Sequence, residues 1–145
     1  MINKISILLL FFLYGCGYTA VYKDSNSQDY NIVMLEMSGD TMMNKLIENE
    51  LKINSKKNSE NEYSINLNTT YTKEIKSKNS SGIASNYEII IKANFDVNKK
   101  IITFEEKFIV KNISDTIEQR NYENIIKKNF ASSIREKLII RLLNM

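Results

Sequence analysis

Tyr63-Ser64-Ile65-Asn66-Leu67-Asn68-Thr69-Thr70-Tyr71-Thr72 decides the fold. Tyr63, Ile65, Leu67, Thr69 and Tyr71, with Ile75 further on, alternate with Ser64, Asn66, Asn68, Thr70 and Thr72. A period of two sends the first set to one side of a strand and the polar set to the other. β-Branched and aromatic residues suit such a half-buried pleated surface. This is a long strand with one face in a core.

Working outward, Ser77-Lys78-Asn79-Ser80-Ser81-Gly82 reads as a hairpin connection. The return strand carries Tyr87, Ile89, Ile91, Ala93, Phe95 and Val97 on its inner face, with Asn86, Glu88, Lys92, Asn94 and Asp96 outside. Asn98-Lys99-Lys100 turns the chain again. A third strand points Ile102, Phe104, Phe108 and Val110 inward and Thr103, Glu105, Lys107 and Lys111 outward.

Upstream, Ile32-Val33-Met34-Leu35 is a short apolar run that reads as a buried strand, broken by Ser38-Gly39-Asp40. Asp40 is a good N-cap for a helix over 41–53 whose apolar stripe is Met42, Met43, Leu46, Ile47 and Leu51. Downstream, Thr116 to Gln119 has capping-box spacing. Tyr122, Ile126, Phe130, Ile134, Leu138 and Leu142 then recur every four residues, flanked by Ile125, Ala131 and Ile139, which predicts a helix over 118–143. The order is β-α-β-β-β-α. An α+β domain over 30–145 is expected, with a mostly antiparallel four-stranded sheet and two helices packed on one face.

With 145 residues and 43% hydrophobic content, the chain has material for one domain. Its +3 charge, from 20 basic and 17 acidic residues, is too balanced for a dedicated nucleic-acid binder, so no nucleic-acid partner is expected. There is no His, which excludes Ser-His-Asp and Cys-His nucleophiles and a His-ligated zinc. One Cys excludes an internal disulfide, and four Gly leave little for a phosphate-cradling loop. Glu105 and Glu106, adjacent on a strand, point to opposite faces and cannot form a catalytic carboxylate pair. No enzyme activity, metal or cofactor is expected. The Asn, Lys and Ile abundance looks like genomic bias, so placement has to carry the functional argument.

Met1-Ile2-Asn3-Lys4 followed by an almost unbroken apolar run from Ile5 to Leu13 reads as a signal peptide over 1–15. Nine helical residues span about 14 Å, too short to cross a hydrocarbon core of about 30 Å. Leu13-Tyr14-Gly15-Cys16 resembles a bacterial lipobox, and the only Cys of the chain stands at the position the motif needs. The resemblance implies that Cys16 is acylated and becomes the first residue of a mature chain of charge +2, one less than the whole because Lys4 is lost. Each buried CH₂ contributes about 0.8 kcal/mol, so several acyl chains make a durable anchor. The alternative is a buried free Cys behind an ordinary leader. Residues 16–29, polar and without a sustained period, read as a tether. Gly17 stands where an Asp would resemble an inner-membrane retention signal, which favours the outer membrane.

Cys16-Gly17-Tyr18 with Tyr22 four residues on, the β-α-β-β-β-α order and the long C-terminal helix together resemble the LptE family. These are outer-membrane lipoproteins that work with the LptD β-barrel in lipopolysaccharide assembly. Thr19-Ala20-Val21 departs from the family, which often has a Pro just after the aromatic. The resemblance covers most of the chain. It implies a plug or assembly subunit of the lipopolysaccharide translocon, with an LptD-like β-barrel and lipopolysaccharide as partners and a lipid anchor at the periplasmic face of the outer membrane. An accessory lipoprotein of another envelope complex is the alternative.

Lys73, Lys76 and Lys78 cluster around the first hairpin tip and are the candidate lipopolysaccharide-binding residues. Flexible ammonium groups suit diffuse anionic phosphates. The competing reading is that they blunt exposed strand ends. Lys56-Lys57, Lys99-Lys100 and Lys127-Lys128 read as solvated surface. Tyr63, Tyr71 and Tyr87 are expected in the core. Glu106 lies on the otherwise apolar face, and a sheet edge, a Lys partner and a bulge are all open to it.

Overall fold

A computed structural model describes residues 30–53, 55–57 and 59–145. The expected signal peptide (1–15), the tether (16–29) and Cys16 lie outside the described residues.

The elements are β1 (Tyr30–Gly39), α1 (Thr41–Lys52), β2 (Asn61–Lys78), β3 (Ala84–Val97), β4 (Lys100–Lys111) and α2 (Thr116–Leu143). The α+β order is as expected. One sheet has the strand order β1-β2-β3-β4, parallel between β1 and β2 and antiparallel elsewhere. A parallel neighbour requires a crossover, and α1 is that crossover.

Gly39 makes the tight entry to α1 possible. It sits at φ +88°, and a Cβ there would lie 1.8 Å from the Thr69 carbonyl oxygen of β2. Asp40 then caps α1, its Oδ1 accepting from the Met43 N–H at 2.8 Å. Thr69, fully buried, donates its hydroxyl to Asn44 Oδ1 at 2.7 Å, while the Asn44 amide donates to the Ser38 carbonyl. Every polar group at this buried corner therefore has a partner.

The core fills the space between the sheet and both helices. Ile65, Leu67, Ile89, Ile91, Phe95 and Val97 meet Met43, Ile47, Leu51, Phe130, Ile134 and Leu138. Phe95 and Phe104 pack edge to face at 5.9 Å. The antiparallel orientation of α2 to β2 follows from two bonds. Tyr63 donates to the Leu142 carbonyl at 3.1 Å, and Tyr71 donates to Glu123 Oε2 at 3.0 Å. The helix between those contacts is about 28 Å long and the strand about 26 Å, so the two run in step.

Several details differ from the sequence reading, beginning with Leu35 and Met42, which are exposed rather than in the core. The cap of α2 is Asp115, which accepts from the Ile117 and Glu118 N–H groups at 2.7 and 3.0 Å. Gln119 bonds back to the Ile113 N–H instead of closing a box with Thr116. Tyr122 and Ile125 are exposed, at 42% and 53%, and the buried line continues through Glu123 and Gln119. A spacing of four overshoots the helical repeat by about 40° each time, so two such steps back from Phe130 leave the core, whereas one step of seven does not. Ile75, at 53% exposure, lies where β2 bulges between Ile75 and Ser77. Finally, β2 continues to Lys78, so the connection is shorter than Ser77–Gly82.

Candidate functional site

The helices cover one face of the sheet and leave the other without a covering element among the described residues. That open face is mostly polar because most outward positions are, although Ile101 and Ile109 of β4 stand exposed on it. Asn68 donates to Ser38 Oγ at 2.7 Å and Thr103 donates to Asn94 Oδ1 at 2.8 Å. Lys92 and Glu105 lie 3.9 Å apart on neighbouring strands. Such exposed cross-strand pairs contribute only a few tenths of a kcal/mol each. Their effect is to keep a broad surface wet.

A shallow cleft of about 460 Å³ opens on this face, lined by Glu36, Met37, Ser38, Asn66, Leu67, Asn68, Asn94, Asp96 and Ile101. Asn66 Oδ1 and Asp96 Oδ1 are buried in it without hydrogen-bond partners. The two residues face each other across β2 and β3. Among the described residues no three His, Cys, Asp or Glu side chains gather as metal ligands. No described helix is long and apolar enough to cross a membrane.

The hairpin lysines are placed on different surfaces. Lys73 pairs in register with the fully buried Ile89, on the helix-covered face, and its ammonium binds Glu123. The same ammonium stands 4.2 Å from the centre of the Tyr87 ring. Lys76, at the β2 bulge, turns to the open face and meets Glu88 at 2.9 Å. Lys78 is exposed and has no ion pair among the described residues. The structure thus brings Lys76 and Lys78 to the free end of the hairpin and ties Lys73 into the helix–sheet interface.

Glu123 is the residue the sequence did not reveal. It accepts from Tyr71, Lys73 and Gln119, the last at 2.8 Å. Burial raises its pKa, but the hydrogen bonds from Lys73, Gln119 and Tyr71 outweigh this and hold it below the ordinary 4.5. Tyr71 moves the opposite way. Burial, then its bond to Glu123 and that carboxylate's charge, push its hydroxyl well above the usual phenol range. Lys127 completes the cluster, its ammonium 3.8 Å from the Tyr71 ring centre. A carboxylate with three donors and a phenol locked as a donor make a structural clamp. Neither group is poised for proton transfer at neutral pH. The signal was present only as a Glu seven residues before Phe130.

Glu106 resolves to two of its three open possibilities. It lies on the edge strand β4 and pairs with Lys137 at 2.9 Å, with Ser133 also in reach, and the β3–β4 register has no bulge. Tyr63, Tyr71 and Tyr87 pack against the core, partly buried.

No protein-family model matches the chain, and no curated protein sequence does. Solved structures do resemble it. An uncharacterised lipoprotein B from Nitrosomonas europaea is similar at TM-score 0.52 and 10% identity, over 79% of this chain and 84% of that one. A lipoprotein from Caulobacter crescentus is similar at TM-score 0.51 and 10% identity, over 80% and 88%. The rare lipoprotein B of Shewanella oneidensis gives 0.49 and 13%, over 77% and 95%. The structural neighbours are bacterial lipoproteins. At this identity the likeness is one of fold.

Proposed function

We propose that the chain is a lipid-anchored outer-membrane protein serving as plug and assembly subunit of a lipopolysaccharide translocon, bound to an LptD-like β-barrel and contacting lipopolysaccharide on its way to the outer leaflet. The reading rests above all on one observation: a lone Cys16 at a lipobox-like position precedes a domain that shares its fold with bacterial lipoproteins. Acyl chains on Cys16 hold the domain at the periplasmic face. The polar open side of the sheet suits the wet lumen of a barrel better than lipid, because its Asn, Thr, Lys and Glu side chains would leave unpaired groups in hydrocarbon. The role is structural and binding, without catalysis, metal or cofactor.

Lipopolysaccharide phosphates would meet Lys78 first. Lys76 joins by exchanging Glu88 for a phosphate, and Lys73 joins only by giving up Glu123. Purification of the tagged chain from detergent-solubilised outer membrane tests the reading. A large β-barrel and lipopolysaccharide co-purify if it is right. A different partner set without lipopolysaccharide would instead indicate an accessory subunit of another envelope complex.

A further inference from the structure

The two edges of the sheet are not alike. β1 is interrupted by a bulge between Met34 and Glu36, a common device for spoiling an edge. β4 keeps its 12 residues in step with β3, and among the described residues no strand lies on its outer side. On alternate residues its N–H and C=O groups therefore point outward together, a row whose spacing matches another extended backbone. Apolar side chains stand on both sides of that row. Ile101 and Ile109 are 71% and 64% exposed on the open face, and Ile102, Phe104 and Phe108 are only partly buried on the other. A groove of about 330 Å³ lies beside the first half of β4, between residues 100–104 and Arg141, Asn144 and Met145 at the end of α2. Lys100 and Arg141, which line it, are exposed and have no ion pair among the described residues.

We propose that the outer edge of β4 pairs with an extended, acidic segment of the barrel partner, which joins the sheet as a fifth strand. The inference rests on the barrel reading above and needs one copy of this chain. A closed barrel wall has no unpaired edge, so the segment is a loop or a terminus reaching into the lumen. Main-chain pairing with β4 dictates its extended form. Side chains on one side of it fill the groove beside Ile102 and Phe104, and those on the other cover Ile101 and Ile109. Its charge follows from the edge it meets. Lys100 and Arg141 at one end and Lys111 at the other carry unopposed positive charge, whereas Glu105 and Glu106 already face Lys92 and Lys137. An acidic segment therefore supplies the missing partners, and a basic one is repelled.

Amide exchange of the full chain, alone in detergent and in the complex purified with its barrel, tests this. Outward amides between 100 and 111 should exchange about tenfold more slowly, or slower still, in the complex. Lys100→Glu with Arg141→Glu should weaken capture of the barrel about tenfold, with a melting temperature close to the parent's. Capture by the parent should also weaken as salt rises. A barrel that co-purifies while β4 exchanges as it does in the free chain overturns the pairing and leaves the barrel reading standing. Absence of any barrel overturns both. Undiminished capture by the double variant overturns the acidic segment. Protection of β4 that grows with the concentration of the chain alone overturns the barrel as its source.

Discussion

Tyr71 of β2 donates its phenolic hydrogen to Glu123 of α2 at 3.0 Å, and this bond fixes where the long helix crosses the sheet. Around it gather two lysines, a glutamine and a second tyrosine ring, so one carboxylate organises the end of the domain nearest the hairpin. The packing of Phe130, Ile134 and Leu138 into the core holds α2 against the sheet, and the polar contact adds to it. The clamp reinforces that register together with the Tyr63–Leu142 bond.

Replacing Glu123 with Gln removes the charge but keeps the shape. We expect a loss of about 1 kcal/mol, since the Glu123 side chain is partly buried while its Lys73 partner stays partly exposed to solvent. The pH dependence is the sharper readout. A carboxylate held below its ordinary pKa stabilises the fold above the unfolded value near 4.5, and that contribution is lost as pH falls below it. Urea unfolding of parent and variant should therefore differ at pH 7 and converge toward pH 3. A constant difference across that range would remove Glu123 from the account.

Gly39→Ala introduces a Cβ at φ +88° against the Thr69 carbonyl. Strain and overpacking together should cost about 3 kcal/mol or more, read as a lower denaturation midpoint. A variant as stable as the parent would show that the β1–α1 corner is looser than described. Gly82, also at positive φ but with open space around it, should tolerate Ala at a smaller cost.

Much of this was legible in the sequence, and the reasons are local. The alternation from Tyr63 to Tyr71 specifies a half-buried strand because the pleat itself has a period of two. Asp40 announces the start of α1 because a carboxylate satisfies N–H groups that nothing else nearby can reach. Glu123 was hidden by its neighbours, since Tyr122 and Ile125 look more like core on composition. Its role depends on which strand α2 crosses and at what height, a tertiary relation that no single segment contains. Likewise the pairing of Lys73 with Glu123 and the unpaired exposure of Lys78 come from the hairpin passing beyond the helices, which spacing alone cannot register.

That division predicts different outcomes for the hairpin lysines. Lys76→Glu with Lys78→Glu should weaken lipopolysaccharide binding and flatten its salt dependence, with a melting temperature close to the parent's. Lys73→Glu should instead lower thermal stability by setting a carboxylate against Glu123. Equal lipopolysaccharide binding by the double variant and the parent would leave these residues as solubilising surface.

Cys16→Ser should abolish acylation while the domain over 30–145 folds as before. Fractionation would then find the protein released from the outer membrane or retained unprocessed. A mass spectrum of membrane-derived parent protein with a free Cys16 thiol would contradict the anchor.

The central claim is participation in placing lipopolysaccharide in the outer leaflet, and depletion of the chain in its own cells tests it most directly. Newly made lipopolysaccharide should then accumulate on the periplasmic side and fail to reach surface-acting modifying enzymes or antibodies. Arrival at the surface at the undepleted rate would contradict the account.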